Sequence, residues 1–328
     1  MDGCVMREVS YSDYLRFLEE RNHIVIEDSV IELKPVKITR LYPLDAELSD
    51  VSTTVWSFPR RGKWASHKGD YRGNWPPQLV RRVIELFSRP GQLVLDPMIG
   101  SGTTCIEARL LGRNCIGVDI NYSAAILSLH RLYWLEKYVE LEGRDDEASR
   151  NTRSTWSRIF HGDSRELSLI KDGEVDLVMV HPPYWNIIRY KHRKTECSPG
   201  DLSCAGRMED YLTVFSEFSR EAYRVLKPGG FMAVLIGDTR LRKHYVPISY
   251  HVLRTLLDAG FILKEEVIKI QHRMKKTREL WEKVRDRDFL LIKHEKLYIL
   301  RKPVKPDERK TYKYSSNITF LGYERSEV

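Results

Sequence analysis

Two consecutive prolines follow a short apolar run in the middle of the chain, in the tetrapeptide His181-Pro-Pro-Tyr184. The run 175–180 predicts a buried strand, so the tetrapeptide lies at its carboxyl end, where open α/β sheets place their ligand crevice. Prolines stiffen the backbone and donate no hydrogen bond, which fixes the positions of their carbonyl oxygens. A carbonyl at Pro182 and an acceptor nitrogen of His181 suit the two N–H bonds of an exocyclic amino group on a nucleobase. Tyr184, with Trp185 beside it, is predicted to stack on that base.

A glycine-rich loop, Asp96-Pro-Met-Ile-Gly-Ser-Gly102, lies between a predicted strand and a predicted helix. Glycines there allow positive φ and a close approach of the backbone to a ligand. The loop alone is compatible with NAD, with a nucleotide phosphate or with a tight turn. It lacks both the G-x-G-x-x-G fingerprint and the Gly-Lys-Ser/Thr of a phosphate-binding loop. Dinucleotide and triphosphate ligands are therefore disfavoured.

Three acids follow three successive predicted strands, at Asp96, Asp119 and Asp163. A carboxylate at Asp119 can accept hydrogen bonds from both ribose hydroxyls of a nucleoside, and one at Asp163 can accept from an adenine amino group. Three carboxylates would repel phosphate, so they predict a nucleoside that carries none. S-adenosylmethionine, whose sulfonium is positive, fits that demand.

The elements that must position these residues alternate between helix and strand. The apolar spacing predicts helices over 78–88, 103–111, 208–226 and 248–259, and strands over 92–95, 114–118, 175–180 and 231–236. This alternation predicts a parallel sheet with helices on both faces. Two further strand-like runs, 261–270 and 289–300, have no crossover helix between them, so we expect an antiparallel pair.

Three polar segments interrupt or follow this pattern. Residues 271–288 are strongly charged and are compatible with a solvated helical arm or with a DNA-contacting element. Residues 140–155 predict a mobile excursion, and 303–328 predict a weakly structured tail.

Composition bounds the class of protein. A chain of 328 residues that is 42% hydrophobic can bury a substantial core. It has no long apolar run, and charged residues near its start replace the pattern of a signal peptide, so we expect a cytoplasmic protein without membrane contact. Its five cysteines contain no CxxC pair, which suggests neither a disulfide framework nor a metal site. The formal net charge of +8 is compatible with a polyanionic partner and with simple solubility.

Taken together, these motifs resemble the amino-methyltransferase family of DNA modification enzymes, and particularly its cytosine-N4 members. The resemblance spans about residues 50 to 240. Its pieces are the segments 53–59 and 64–77 before the cofactor loop, the cofactor motif 96–104, the ribose motif 117–119, the adenine motif 162–163, the catalytic motif 181–184 and the segment 226–230 of class I methyltransferases.

The resemblance implies the class I S-adenosylmethionine-dependent methyltransferase fold, an α/β architecture with a mostly parallel seven-stranded sheet, an antiparallel last strand and helices on both faces. It also implies S-adenosylmethionine as cofactor. The residues implied in binding it are Asp96, Pro97, Gly100, Gly102, Thr103, Asp119, Ile120, Asp163 and Ser164, with Tyr71, Asn74 and Trp75 near its methionine end. The implied catalytic residues are His181, Pro182, Pro183 and Tyr184.

The predicted organisation has three parts. Residues 1–60 form an N-terminal extension that is a candidate DNA-contacting element, residues 61–302 form the catalytic domain, and residues 303–328 form the tail. Within the catalytic domain, 186–206 and 271–288 are candidate target-recognition elements. The expected partner is double-stranded DNA, with a cognate restriction endonuclease as a further candidate; monomer and dimer are both compatible with the sequence.

The predicted reaction is methylation of cytosine N4 by base flipping and direct in-line transfer, without a metal. Members of the family usually carry Ser, Asp or Asn where this chain has His181; Ser is associated with cytosine N4, and Asp or Asn mainly with adenine N6. Cytosine is preferred because of the upstream segment and the Tyr184-Trp185 pair. The alternatives are adenine N6, an amino group in RNA, and a non-catalytic DNA-binding homologue. A nicotinamide oxidoreductase would need the missing glycine fingerprint.

Overall fold

The computed structural model describes residues 5–26, 29–48, 51–185, 200–272 and 288–318. Its strands are β1 Arg7–Val9, β2 His23–Ile26, β3 Ser29–Glu32, β4 Val55–Ser57, β5 Leu93–Asp96, β6 Asn114–Asp119, β7 Ser157–His161, β8 Val175–Val180, β9 Leu226–Ile236, β10 Thr239–Leu241, β11 His244–Val246, β12 Ile262–Ile270 and β13 His294–Arg301. Its helices are α1 Tyr11–Glu20, α2 Pro77–Phe87, α3 Thr103–Leu110, α4 Tyr122–Glu142, α5 Glu147–Ser154, α6 Met208–Val225, α7 Ile248–Asp258, α8 Glu308–Thr311 and α9 Lys313–Ser316.

The central sheet has the strand order β1-β7-β6-β5-β8-β9-β13-β12-β4. Strands β7, β6, β5, β8 and β9 are parallel, and β13 runs antiparallel to both β9 and β12. These seven strands confirm the predicted class I fold and the predicted antiparallel pair. The first sixty residues contribute a short strand to each edge, because β1 pairs with β7 and β4 pairs with β12.

Helices cover both faces of this sheet. On one face α2, α3 and α4 pack together, and on the other α6 and α7 bury their apolar sides. The buried residues of α6 are Tyr211, Phe215, Phe218, Ser219, Ala222 and Val225, spaced so that they lie along one side of the helix. Because both faces are covered, β5 and β8 are almost continuously apolar, and their carboxyl ends open together at one edge of the sheet.

The prediction of a mobile excursion over 140–155 was wrong. That stretch contains the end of α4 and the whole of α5, whose N-cap Asp146 accepts a hydrogen bond from the Ser149 amide at 2.8 Å. Ala148, Ser149 and Thr152 are buried. Since the buried side of α5 consists of small and polar residues, it has little hydrophobic periodicity to detect.

The segment after residue 303 is also more ordered than its composition predicts. It forms α8 and α9, and Arg309 donates a hydrogen bond to the carbonyl of Leu257 at 2.9 Å. Residues 319–328 lie outside the described residues, as do 186–199 and 273–287, which make up most of the two candidate recognition segments.

The expectation of no disulfides was wrong as well. Cys105 on α3 and Cys115 on β6 form a disulfide bond, and both residues are fully buried. Cys204 is also disulfide-bonded. The Cys105–Cys115 pairing depends on α3 packing back onto β6, which the spacing of ten residues does not reveal. In the part of the chain that the structure describes, no helix has the length and apolar character needed to cross a membrane.

Candidate active site

The glycine-rich loop leaves the carboxyl end of β5 and turns directly into α3. Gly100 and Gly102 have φ values of 53° and 84°, the left-handed region that glycine adopts without steric cost. A Cβ atom at Gly102 would lie 3.2 Å from the Cα of Ser128, whose hydroxyl donates to the Gly100 carbonyl at 2.8 Å. The two glycines therefore let the loop turn while it is pressed against α4.

Asp96 holds the glycine-rich loop in place through two hydrogen bonds. Its carboxylate accepts hydrogen bonds from the Thr104 hydroxyl at 2.5 Å and the Met98 amide at 3.1 Å. Burial raises the pKa of Asp96 to about 7. The side chain does not line the cavity described below, so its observed contacts hold the loop in place.

Asp119 ends β6 and faces the cavity. Its carboxylate accepts hydrogen bonds from the backbone amides of Gly100 and Asn121, each at 2.9 Å. Burial raises the pKa of Asp119 to about 6, and the nearby carboxylate of Asp201 adds to the rise. The ionised form is thus costly until a ligand supplies positive charge or hydrogen-bond donors.

Asp163 has a different environment from the one the sequence predicts. Its carboxylate forms an ion pair with Arg165 at 2.8 Å and is buried. It does not line the cavity, whereas Ile120 and Ser164 do. The structure therefore places Ser164, the residue after the predicted adenine contact, in the cavity and pairs Asp163 itself with an arginine.

The segment before α2 joins the cofactor loop to the tetrapeptide. The Asn74 side chain accepts a hydrogen bond from the Thr103 hydroxyl at 2.6 Å, at the first residue of α3. The ring of Trp75 is buried, with its centroid 5.3 Å from that of His181. Tyr71 lies against Gly100, where a Cβ atom would be 2.9 Å from the tyrosine ring.

A cavity of about 620 Å³ brings together most of the predicted residues. Those that line it are Tyr71, Asn74, Trp75, Pro97, Gly100, Asp119, Ile120, Ser164, His181, Pro182, Pro183 and Tyr184. Those that do not are Asp96, Gly102, Thr103 and Asp163. Trp185 packs in the core behind the cavity, so it does not share the predicted stacking role of Tyr184.

A chain of hydrogen bonds ties the tetrapeptide to the last two strands of the sheet. The Tyr184 hydroxyl lies 2.6 Å from His181 Nε2 and donates to Glu295 Oε1 at 2.7 Å. Glu295 Oε2 accepts from Lys269 Nζ at 2.6 Å. Because the tyrosine has one hydroxyl proton and gives it to Glu295, His181 Nε2 must carry the proton of the neutral ring.

The charge states of this chain follow from its surroundings. Burial lowers the pKa of His181 to about 4, so the ring is neutral at pH 7. Burial raises the pKa of Glu295, but the charges of Lys269 and His181 and the hydrogen bonds lower it by a larger amount. The pKa of Glu295 therefore lies below its usual value. His181 Nδ1 is buried. A hydrogen bond with the Gly73 backbone favours the protonated ring and raises its pKa, but burial outweighs this effect.

Glu295 was missed at the level of sequence, although a signal was present. Two charged residues, Glu295 and Lys296, interrupt the apolar run of β13, and both are buried. Charged residues rarely occupy such positions unless they are paired. What the sequence does not give is the strand register that sets Glu295 opposite Lys269.

The two proline carbonyls differ in availability. The Pro183 carbonyl accepts hydrogen bonds from the Tyr211 hydroxyl at 2.9 Å and the Trp185 amide at 3.2 Å. Within the described ranges, no donor reaches the carbonyl of Pro182. Pro182 therefore offers a backbone acceptor on the wall of the cavity.

The residues present fit an adenosyl ligand of positive charge. Asp119 and Asp201 supply negative charge, and the hydroxyl of Ser101, which lines the cavity, is buried without a partner among the described residues. Among those residues no group of three or more His, Cys, Asp or Glu side chains could hold a metal ion. The strand order and the glycine loop at the end of β5 define a class I S-adenosylmethionine-dependent methyltransferase fold.

Comparison with known proteins identifies the family. The model of the N6/N4 DNA methylase family matches residues 19–128 and 175–325, so the chain belongs to that family, whose cofactor is S-adenosylmethionine. A second model, for the RMKL-like methyltransferase domain, matches residues 87–197.

Three curated relatives show the range of substrates among similar proteins. The tRNA (guanine(6)-N2)-methyltransferase of Thermus thermophilus is 29% identical over 56% of this chain and 45% of its own length. The DNA adenine methyltransferase YhdJ of Escherichia coli is 38% identical over 25% of this chain and 28% of its own. The Type II methyltransferase M2.MboI of Moraxella bovis is 35% identical over 27% and 32%. The chain thus spans less than half the length of each of these relatives.

Proposed function

We propose that this protein transfers a methyl group from S-adenosylmethionine to an exocyclic amino nitrogen of a base in double-stranded DNA, with cytosine N4 the favoured target. One observation carries the proposal. The glycine-rich loop, Asp119 and the tetrapeptide His181–Tyr184 line one cavity, so a nucleoside cofactor and a flipped base would share the same space.

The roles of the chain's residues follow from their contacts. When bound, S-adenosylmethionine supplies an electrophilic methyl group. The Pro182 carbonyl is the acceptor available to an N–H of the target amino group, because the Pro183 carbonyl is already engaged. The Tyr184 ring stacks on the base, and its hydroxyl is held from both sides by His181 and Glu295, which restricts the orientation of the ring.

His181 enters this mechanism mainly as a positioning residue. Its Nε2 is bonded to Tyr184, so only Nδ1 could serve as the second acceptor that the sequence suggests. Nδ1 is buried, so a target amino group could reach this nitrogen only if the side chains around it moved. Contacts of Pro182 with the substrate are therefore favoured over direct contacts of His181.

A second candidate target is an amino group in RNA. The similarity to a tRNA guanine-N2 methyltransferase extends over more than half of this chain, further than the similarity to the two DNA methyltransferases. The substrate amino groups of cytosine, adenine and guanine present the same N–H donors, so the cavity chemistry alone is compatible with each. Membership of the DNA methylase family favours DNA. A cognate restriction endonuclease, as for Type II methyltransferases, is a candidate partner.

The test is to incubate the protein with S-adenosylmethionine labelled in its methyl group, together with mixed-sequence duplex DNA or with tRNA. The nucleic acid is digested to nucleosides, and the labelled nucleoside is identified by chromatography. We expect label in N4-methylcytosine. Label in N6-methyladenine would move the target, and label on tRNA alone would overturn the DNA substrate. The role of the tetrapeptide is wrong if Tyr184→Ala and His181→Ala both transfer methyl groups at the rate of the unchanged protein.

A further inference from the structure

A short β-hairpin stands at the mouth of the cavity, outside the segments that the sequence singled out for DNA recognition. Strands β10 and β11 pair antiparallel with Leu241 opposite His244, so the connecting loop consists of Arg242 and Lys243. Both loop residues have positive φ, 49° and 70°. Asn-Gly is the strongly preferred sequence for a two-residue loop of this kind, because most residues with a Cβ atom are strained at positive φ.

Few contacts hold the turn in this conformation; one is the hydrogen bond that Arg240 donates to the Lys243 carbonyl at 3.1 Å. Among the described residues Arg242 has no hydrogen bond or ion pair. The Lys243 ammonium lies 3.6 Å from the Asp288 carboxylate, with the lysine side chain 56% exposed, an arrangement that contributes little in water. Two cationic side chains are therefore held at an unfavourable backbone conformation and directed at solvent.

The hairpin is nevertheless anchored firmly at its base. Arg240 donates two hydrogen bonds to the Leu290 carbonyl, at 3.2 and 2.8 Å, and its guanidinium lies 5.1 Å from the centre of the Phe289 ring. Tyr245 donates to Asp238 at 2.5 Å. The turn is thus a projection of fixed position relative to the cavity.

The position and charge of the hairpin are suited to a polyanion. Asp238, Thr239 and Arg240 line the cavity, and the strands carry the chain from there to the exposed turn. Residues 239–246 contain three permanent cations and no carboxylate. Exposed cations beside a site that takes a base would meet the phosphates that flank that base.

We propose that Arg242 and Lys243 bind backbone phosphates of duplex DNA next to the target base. This inference rests on the proposed function, in that it takes DNA as the substrate. An arginine can bind a phosphate through two parallel hydrogen bonds, and a lysine acts as a point charge. Arg242 has no carboxylate partner among the described residues, and the exposed ion pair of Lys243 with Asp288 is weak enough for a phosphate to replace it.

The test is the double variant Arg242→Asn, Lys243→Gly. Asn-Gly is the preferred pair for this loop, so the variant keeps the turn while it removes both cations. We expect an unchanged or higher Tm, unchanged affinity for S-adenosylmethionine, and a loss of DNA affinity of about 10- to 100-fold at 0.1 M salt. The slope of log K against log salt should become less steep by about 2, one unit for each lost phosphate contact.

The matched control removes the same net charge elsewhere. The control is the double variant Lys310→Asn, Lys313→Asn. These lysines lie on α8 and α9 and do not line the cavity. The control should bind DNA as the unchanged protein does. An equal loss of DNA affinity in the control would attribute the loss to net charge and overturn the inference. An unchanged slope of log K against log salt in the hairpin variant would overturn it as well.

The same titrations separate this inference from the proposed function. If the unchanged protein binds and methylates DNA and the hairpin variant binds DNA equally well, the inference fails and the function stands. If the unchanged protein neither binds nor methylates DNA, both fail. A hairpin variant that loses affinity for a tRNA and not for DNA would also overturn the inference.

Discussion

We predict that the carboxylate of Asp119 makes cofactor binding depend on pH. Burial raises its pKa to about 6 in the unliganded protein, and a ligand that brings hydroxyl donors and a positive charge favours the ionised form. Affinity should therefore rise as pH rises through 6. We expect the Kd for S-adenosylmethionine to be about tenfold larger at pH 5 than at pH 7, measured by titration calorimetry. Asp119→Asn should bind more weakly at pH 7 and show a flatter pH dependence. A flat profile for the unchanged protein would contradict this role.

The same pKa shifts act on the stability of the unliganded protein. Asp96 and Asp119 both have a folded-state pKa above the ordinary value of 3.8, at about 7 and about 6. The stability that they contribute is complete below pH 4 and is lost as pH rises through 6 to 7. Added S-adenosylmethionine should therefore raise Tm more at pH 7.5 than at pH 5, which thermal denaturation with and without the cofactor measures.

Tyr184 allows its ring and its hydroxyl to be separated experimentally. Tyr184→Phe keeps the ring and removes the hydrogen bonds to His181 and Glu295, whereas Tyr184→Ala removes both. Stacking of a base on an aromatic ring contributes about 1–3 kcal/mol, so Tyr184→Ala should lower kcat/KM for DNA by about 5- to 150-fold. Tyr184→Phe should fall between Ala and the unchanged protein in single-turnover methyl transfer. Equal effects of Phe and Ala would assign the whole contribution to the hydroxyl.

At the scale of residues, the sequence located the acids but not their partners. Asp96 and Asp119 end predicted strands, and strand ends follow from local apolar runs. Which way each acid faces depends on tertiary packing, and this is why Asp96 lies under the loop while Asp119 faces the cavity. Glu295 is more than one hundred residues from Tyr184 in the chain, so only the fold brings them together.

At the scale of elements, the Cys105–Cys115 disulfide joins the helix after the cofactor loop to the strand that carries Asp119. A cross-link that closes a loop of about ten residues stabilises by about 2–3 kcal/mol, chiefly by restricting the unfolded chain. We expect the double variant Cys105→Ala, Cys115→Ala to lose about that much free energy of unfolding in urea titrations. Because both cysteines are fully buried, reductant should act on the folded protein slowly. An unchanged free energy of unfolding would show that the bond contributes nothing.

The elements that could be predicted are those with a strong apolar period. Strands β5, β6 and β8 and helices α2 and α6 were placed to within a residue or two, because the strands lie almost wholly in the core and the helices bury apolar residues along one side. The antiparallel pair β12 and β13 was predicted because the sequence between the two runs shows no clear pattern of a crossover helix, and the pairing is confirmed. Strands β1 and β4 have three residues each, too few to establish a period.

At the scale of the whole molecule, the first sixty residues pack against the central sheet and extend it at both edges. Tyr14 on α1 is fully buried and its hydroxyl lies 2.8 Å from Nδ1 of His130 on α4. Trp56 on β4 is buried as well, at the opposite edge of the sheet. The sequence predicted 1–60 as an N-terminal extension and candidate DNA-contacting element, whereas the contacts that tie it to the sheet join residues far apart in the chain, as Tyr14 with His130 does.

These contacts predict what removal of the extension does. A chain that begins at residue 61 lacks β1 and β4, so it leaves the edges of β7 and β12 unpaired and uncovers the face of α4 on which α1 packs. Exposed strand edges and apolar surface promote association between copies. We expect this chain to aggregate and to unfold at lower temperature in size-exclusion and thermal measurements, whereas a chain that begins at residue 5 behaves as the unchanged protein. If the sheet needs both edge strands, the loop at the end of β5 loses its position without them and affinity for S-adenosylmethionine falls. A monomeric chain from residue 61 with full affinity for S-adenosylmethionine would contradict this and would favour an extension that is separate from the catalytic domain.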